Sequence, residues 1–321
     1  MKSKAFLSES KKILVTGGAG FVGSTLADEL VKLGHQVTVL DNLVTGKREY
    51  LNPQAKFYKV DICSDEVSRI FSQEAFDLVF HLAAQIDVRK SVEDPIFDNK
   101  VNVFGSLNIL KNCLENKVEK IFFSSTGGAV YGDASEIPTT EKFLPSPICP
   151  YGIHKLTFEK YLNYYYQVYG QKYLTLRPAN IYGPRQYNGG EAGVISIFVD
   201  NTVNKRRCII SGDGTQTRDF VYVDDIVQAF LKAMYSNFVG EINIGTGRET
   251  NLLEVVKAIE TALGNDIEKV HGPARPGEQM RSCLDAKRAK EILHWKAQVD
   301  LKTGIKKTIE WSKNKKHPPD L

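Results

Sequence analysis

Tyr151 and Lys155 stand four residues apart in the run Cys149-Pro-Tyr-Gly-Ile-His-Lys155. On a helix that spacing puts both side chains on one face, one turn apart. A phenol beside an ammonium can serve as an acid–base group. Lowering an ordinary tyrosine from pKa ~10 to near 7 requires about 4 kcal/mol. One cation ~4 Å away at an effective dielectric of ~20 supplies about that amount, so Lys155 is expected to depress the Tyr151 phenol. Alone, Tyr-x-x-x-Lys is a common surface spacing. Here it follows the stretch Phe122-Phe-Ser-Ser-Thr-Gly-Gly-Ala-Val-Tyr-Gly132, which brings the hydroxyls of Ser124, Ser125 and Thr126 to a strand end. One of these can hold a reacting hydroxyl, and the choice between Thr126 and Ser125 stays open because Gly127-Gly128 lengthens the loop.

A second chemical element lies near the start, where Lys12-Ile-Leu-Val-Thr breaks into glycines at 17, 20 and 23 before a helix from about Phe21 to Leu33. Gly17 suits a tight turn, Gly20 the close approach of backbone to a pyrophosphate, and Gly23 the packing of helix on strand. The helix N-terminus, at Phe21 and Val22, directs unpaired N–H groups toward phosphates. The next strand, Gln36-Val-Thr-Val-Leu40, ends in Asp41, where a carboxylate accepts from a ribose diol and repels a 2′-phosphate. These features predict NAD rather than NADP.

The elements needed to position these groups follow in alternation. Strand-length runs Phe57–Val60, Leu78–His81, Ile121–Ser124 and Tyr173–Arg177 are separated by helical patterns near 99–116 and 151–169. Such alternation predicts an α/β fold with a doubly wound parallel (Rossmann) sheet. After Pro178 a Gly-, Pro- and Asn-rich segment suggests a crossing into a smaller α/β substrate lobe. The expected division is residues 1–180 for NAD binding, with a return at about 219–247, and 181–218 with 248–321 for the second lobe. Within the return, Asp219–Val223, a helix to Tyr235 and a strand over Glu241–Gly245 are assigned to the first lobe.

The chain has 321 residues, 42% hydrophobic and 25% charged, with a net charge of +4 from 42 basic and 38 acidic residues. That balance gives no nucleic-acid footprint. No apolar run approaches the ~20 residues of a membrane span, and Met1–Ser10 lacks a signal-peptide core; a cytoplasmic location is expected. Cysteines 63, 113, 149, 208 and 283 form no close metal-type pair, and their odd number argues for reduced thiols. No metal site is expected, and His81 and His154 are read as structural.

Together these residues resemble the extended short-chain dehydrogenase/reductase family, and within it the NAD-dependent sugar-nucleotide epimerases and dehydratases. The resemblance runs nearly end to end, through Thr16–Gly23, Asp41-Asn-Leu43, Asp61-Ile62, His81-Leu-Ala-Ala84, Asn102, the Ser-Ser-Thr loop, Tyr151 with Lys155, Arg177–Gly183, Arg218–Asp225 and Arg275-Pro-Gly-Glu278. It implies that Asn42, Asp61 and Ile62 line the adenine side of NAD, Leu82, Ala83 and Ala84 the phosphate and ribose side, and Asn102 the pocket. It further implies that Asn180 and Arg218 contact a substrate diphosphate, Gly193 and Val194 contribute backbone contacts, and Arg275 with Glu278 clamps the nucleotide. The implied reaction is C4 epimerisation of a UDP-hexose through a 4-keto sugar. In it Tyr151 is the base, Thr126 holds the 4-hydroxyl and Lys155 holds the ribose. Ser282, small where plain-hexose enzymes of the family tend to carry tyrosine, implies room for an N-acetylated sugar. Gly127-Gly128 departs from the Asp-Glu of the family's dehydratases and from the glutamate of its decarboxylases. Epimerases acting on uronic acids share the scaffold. A non-catalytic dinucleotide-binding regulator is disfavoured because both Tyr151 and Lys155 are present. A homodimer is expected through the helices near 99–116 and 151–169, the latter presenting Leu156, Phe158, Tyr161, Leu162, Tyr165 and Tyr169.

Overall fold

The computed structural model describes residues 10–186, 193–274 and 279–314. The expected positions Arg275 and Glu278, the first nine residues and the tail beyond 314 lie outside the described residues. In chain order the strands are β1 Lys12–Thr16, β2 Gln36–Asp41, β3 Lys56–Lys59, β4 Leu78–His81, β5 Lys120–Ser124, β6 Lys172–Pro178, β7 Asn180–Tyr182, β8 Cys208–Ser211, β9 Thr217–Arg218, β10 Phe220–Tyr222, β11 Gly240–Ile244, β12 Thr250–Asn251, β13 Lys269–Gly272 and β14 Arg281–Ser282. The helices are α1 Phe21–Lys32, α2 Glu66–Glu74, α3 Val88–Glu93, α4 Pro95–Asn99, α5 Ser106–Glu115, α6 Gly127–Val130, α7 Pro150–Tyr169, α8 Val194–Val203, α9 Val223–Met234, α10 Leu252–Leu263, α11 Lys287–Leu293 and α12 Leu301–Asn314, with a π-helical segment over Lys100–Gly105.

Seven strands form one parallel sheet in the order β11-β6-β5-β4-β1-β2-β3. Apart from the edge strand β3, their residues are mostly buried because helices cover both faces. One face packs Leu26, Leu30, Phe80, Phe122, Phe230 and Trp295 into a single cluster; the other packs Phe71, Ile109, Phe123, Phe158 and Leu162. The chain runs outward from β1 to β2 and β3, then returns to β4 on the other side of β1. The crevice at the carboxyl ends of β1 and β4 is therefore the switch point where ligands of open α/β sheets bind.

A third cluster, built on Tyr182, Phe198, Val255, Ile259 and Ile305, gathers α8, α10 and α12. Three small sheets surround it: β10 with β7, β12-β9-β14, and β13 with β8. β11 joins the main sheet, whereas β10 pairs with β7 instead. Val221 of β10 packs in the sheet's core and Phe220 and Tyr222 in the third cluster, since alternate residues of a strand face opposite sides. The expected single helix over 99–116 is three pieces, with the π-helical turn between α4 and α5. Among the described residues no helix is long and apolar enough to cross a membrane.

Candidate active site

Parallel register brings the functional loops to one edge. Thr16 lies opposite both Leu40 and His81, His81 opposite Phe123, and Ser124 opposite Leu176. The loops after β1, β4 and β5 therefore emerge side by side.

The first loop carries the glycines. Gly17 has φ +69, and a Cβ there would sit 2.7 Å from the Ala83 nitrogen, so only glycine lets β1 turn directly against Leu82–Ala84. Thr16 Oγ1 accepts from the N–H groups of Leu82 and Ala83, each at 3.2 Å. Gly20 caps α1 without any side-chain cap bond, leaving the first-turn N–H groups of Phe21, Val22 and Gly23 to an outside acceptor. At the end of β2, Asp41 is buried and accepts from Ala19 N at 3.0 Å and Leu43 N at 2.8 Å. Burial raises its carboxyl above the ordinary range, with these two N–H bonds opposing it. Each carboxylate oxygen retains a lone pair for a diol. Asn42 donates to Asp61 Oδ2 at 2.8 Å, and Ile62 beside it is buried. This donor set fits a dinucleotide: free helix N–H groups for phosphate, a carboxylate for the ribose, and an apolar wall next to a polar rim for the base.

His81 is fully buried, with Nδ1 2.7 Å from Thr16 Oγ1 and Nε2 2.9 Å from Ser106 Oγ. Burial lowers the imidazole to about 3, aided by the Lys155 charge, so it stays neutral and ties β1, β4 and α5 together. Asn102, central in the π-helical segment, is bonded to Gln85 and Asp98. A π turn is frequent at functional sites because it re-aims one residue.

Tyr151 and Lys155 sit at the head of α7, as their spacing predicts. Pro150 occupies the first helical turn, where its fixed φ suits a helix start. The N–H of Tyr151 donates to Ser91 Oγ at 3.2 Å. Gly152 lets this turn touch the loop after β5, since a Cβ there would lie 2.7 Å from the Ala129 carbonyl oxygen. The expected electrostatics are not those of the folded chain. Lys155 donates to the Ser124 carbonyl at 2.9 Å and lies 5.8 Å from the centre of the Tyr151 ring. Burial raises the phenol, and the Asp98 and Cys149 charges add to the rise. Burial also lowers the Lys155 ammonium to about 8, against Asp98 and Glu159. Desolvation disfavours the charged form of both groups and is the largest cause of both shifts.

The two candidate hydroxyls are separated by the fold. Ser125 is buried and donates to Glu159 Oε1 at 2.5 Å. Glu159 is in turn paired with Arg177, 3.0 Å from its Nε, and Arg177 donates to Tyr131 OH at 2.8 Å. Thr126 is part-exposed, and its Oγ1 accepts from Ala129 N at 3.3 Å, capping α6. The Gly-Gly stretch forms the helical turn α6, capped by the part-exposed Thr126 hydroxyl, whereas the Ser125 hydroxyl is buried against Glu159. The Ser125–Glu159–Arg177–Tyr131 chain escaped the sequence reading; its signal was a glutamate one turn beyond Lys155.

Among the residues expected to bind substrate, strand pairing collects positions distant in sequence. Phe220 of β10 lies opposite Asn180 of β7, and the N–H of Asn180 donates to the Asp219 carbonyl at 2.9 Å. Ser282 lies opposite Arg218 in the parallel pair of β14 and β9. Asp219 is buried and receives N–H bonds from Thr246, Gly247 and Leu284, locking three segments around Arg218. Gly193 caps α8 without a side-chain cap bond, and Val194 opens it.

Among the six residues expected to present a partner-binding face on α7, Phe158 and Leu162 are fully buried in the sheet's core. Leu156 and Tyr165 are part-buried. Tyr161 and Tyr169 of the six are exposed, together with Ile153, Tyr164, Tyr166 and Val168 on the same helix and Ile96, Phe97 and Phe104 on the neighbouring segment.

Residues 13–245 match the NAD dependent epimerase/dehydratase family. The UDP-glucose 4-epimerase of Mycolicibacterium smegmatis is 42% identical over 310 residues, covering 95% of this chain and 99% of the relative. A crystal structure of UDP-glucose 4-epimerase with UDP-glucose from Thermotoga maritima superposes with a TM-score of 0.92 at 47% identity, covering 94% of this chain and 98% of that one. The UDP-glucose 4-epimerase of Thermus thermophilus in complex with NAD superposes with a TM-score of 0.90 at 40% identity, covering 94% and 99%.

Proposed function

The chain belongs to the NAD dependent epimerase/dehydratase family and is an NAD-dependent sugar-nucleotide epimerase, and from that premise we propose that it interconverts UDP-glucose and UDP-galactose at C4. The observation that supports this reading is that the loop following Thr126 lies between the two sides: a Cβ on Gly152, next to Tyr151, would sit 2.7 Å from the Ala129 carbonyl oxygen, and one on Gly128 would sit 3.6 Å from Asn180 Oδ1. NAD, when bound, supplies a hydride acceptor and donor for sugar C4 and a positive ring charge near Tyr151. The protein's own residues move and hold the proton. Tyr151 takes the hydrogen of the sugar 4-hydroxyl at its phenol oxygen and returns it after the sugar has turned. Thr126 Oγ1 holds the same hydroxyl oxygen.

Lys155 steadies the ribose and shares its charge with the phenol. A raised phenol, as in the free chain, stays protonated at neutral pH; Lys155 and the ring charge together bring it down. Arg218 and Asn180 anchor the diphosphate, with Gly193 and Val194 giving backbone contacts and Arg275 and Glu278 closing on the nucleotide. Guanidinium forks match phosphate oxygens, and a carboxylate accepts from a diol. The anchored nucleotide leaves the hexose free to present either face.

The reading divides the molecule at residues 1–180 with 219–247, and 181–218 with 248–321, and locates the enzyme in the cytoplasm. The exposed face of Ile153, Tyr161, Tyr164 and Val168 supports a homodimer; a monomer by sedimentation at micromolar concentration would refute it. The function is tested by incubating purified protein with UDP-galactose without added cofactor. UDP-glucose accumulates to equilibrium on this reading, and its absence across a panel of UDP-hexoses would overturn it.

A further inference from the structure

Beside the catalytic helix, one carboxylate is shared by three elements. Asp98 on α4 is fully buried. It accepts from Gln85 Nε2 at 2.6 Å, Asn102 Nδ2 at 3.0 Å and His154 Nδ1 at 2.5 Å. Gln85 follows Leu82–Ala84, Asn102 lies in the π-helical segment, and His154 stands on α7 between Tyr151 and Lys155. Gln85 and Asn102 are further locked together, Asn102 Oδ1 accepting from Gln85 N at 3.0 Å and Asn102 Nδ2 donating to Gln85 O at 2.9 Å.

An ionised carboxylate is not buried without compensation. The two amides can only solvate Asp98 as dipoles, whereas an imidazole can also carry positive charge. The other titratable groups nearby are engaged or exposed. Lys155 donates to Ser124, Glu159 is paired with Arg177, His81 is bonded at both ring nitrogens, and Cys149 begins α7. Arg89, Lys90 and Glu93 on α3, Asp94 before α4 and Lys100 at the π-helical segment are all exposed. The Asp98 charge reaches both catalytic groups, opposing ionisation of Tyr151 and favouring that of Lys155.

We propose that His154 is a positioning residue: by donating to Asp98 it offsets the carboxylate charge beside Tyr151 and fastens the first turn of α7 to Gln85 and Asn102, keeping Tyr151 able to act as the base. The idea rests on Tyr151 being the acid–base group of the proposed epimerisation.

Holoenzyme carrying His154→Ala, Asp98→Asn or both is titrated by the ultraviolet difference absorbance of tyrosinate, each against its own Tyr151→Phe counterpart. kcat is followed against pH with UDP-galactose. His154→Ala moves the Tyr151 titration and the acid limb of kcat upward by about one pH unit, because the carboxylate is then uncompensated. Asp98→Asn moves both downward, and the double variant returns toward wild type. His154→Gln, an N–H donor without charge, recovers thermal stability but not the profile. An unmoved titration in His154→Ala, or a loss of kcat by the same factor at every pH, overturns the proposal. If His154→Ala does not fold, the downward shift in Asp98→Asn decides the matter, and its absence is equally fatal. The titration is read without turnover, so its failure is distinct from failure of the epimerase reading, which would appear as full activity in Tyr151→Phe.

Discussion

Gly17 and Gly20 lie in the turn between β1 and α1 and Gly23 in the first turn of α1, whereas Asn180, Arg218 and Ser282 come from three strands of two small sheets. The first group is placed by covalent neighbours and backbone sterics, so its geometry survives wherever a strand and a helix can be joined by those residues. The second is placed by register, Phe220 against Asn180 and Ser282 against Arg218, and exists only when distant segments pair. A slip of one residue in either small sheet would turn its side chains to the other face. The comparison teaches that the geometry of the glycine turn is a local property and the arrangement of Asn180, Arg218 and Ser282 a long-range one. The proposed acid–base residues, Tyr151 and Lys155, stand at the seam on the head of α7, against the loop after β5.

The largest expected effect is at that seam. Tyr151→Phe removes the proton acceptor and almost no volume, so kcat falls at least ~10²-fold while NAD and UDP remain bound. Near-normal epimerisation would break the assignment. Glu159→Gln comes next, since it leaves Arg177 buried without its counter-charge and with one acceptor oxygen fewer. Denaturant unfolding is expected to show a loss of about 3–5 kcal/mol; a change within error would mean that the pair does not support the loop. Gly23→Ala sharpens the contrast between regions. Its Cβ would lie 2.2 Å from the Gly17 oxygen, so α1 must move, costing about 1–3 kcal/mol. NAD recovered from the purified protein falls, while UDP affinity by calorimetry stays. Equal losses of both would contradict the separation. The smallest effect concerns the substrate side alone. Ser282→Tyr lowers kcat/KM for UDP-N-acetylglucosamine relative to UDP-glucose by about tenfold with NAD content unchanged. An unaltered ratio would remove Ser282 from the sugar pocket.

The sequence by itself determined the alternation of strands and helices, the glycine turn with Asp41 one strand later, and the placing of Tyr151 and Lys155 on one face. Each rests on a short-range rule: side-chain period, the steric demands of positive φ, or a helix of 3.6 residues per turn. The tertiary structure alone decided which hydroxyl stays part-exposed, because Ser125 is captured by Glu159 from another element. It decided that β10 pairs with β7 outside the main sheet, and that Phe158 and Leu162 belong to the core. It also set burial and the Asp98 charge against the expected lowering of the Tyr151 phenol by Lys155. Charge attraction can be counted from a spacing, but desolvation and the buried Asp98 depend on everything that packs around the phenol, and those atoms come from every part of the chain.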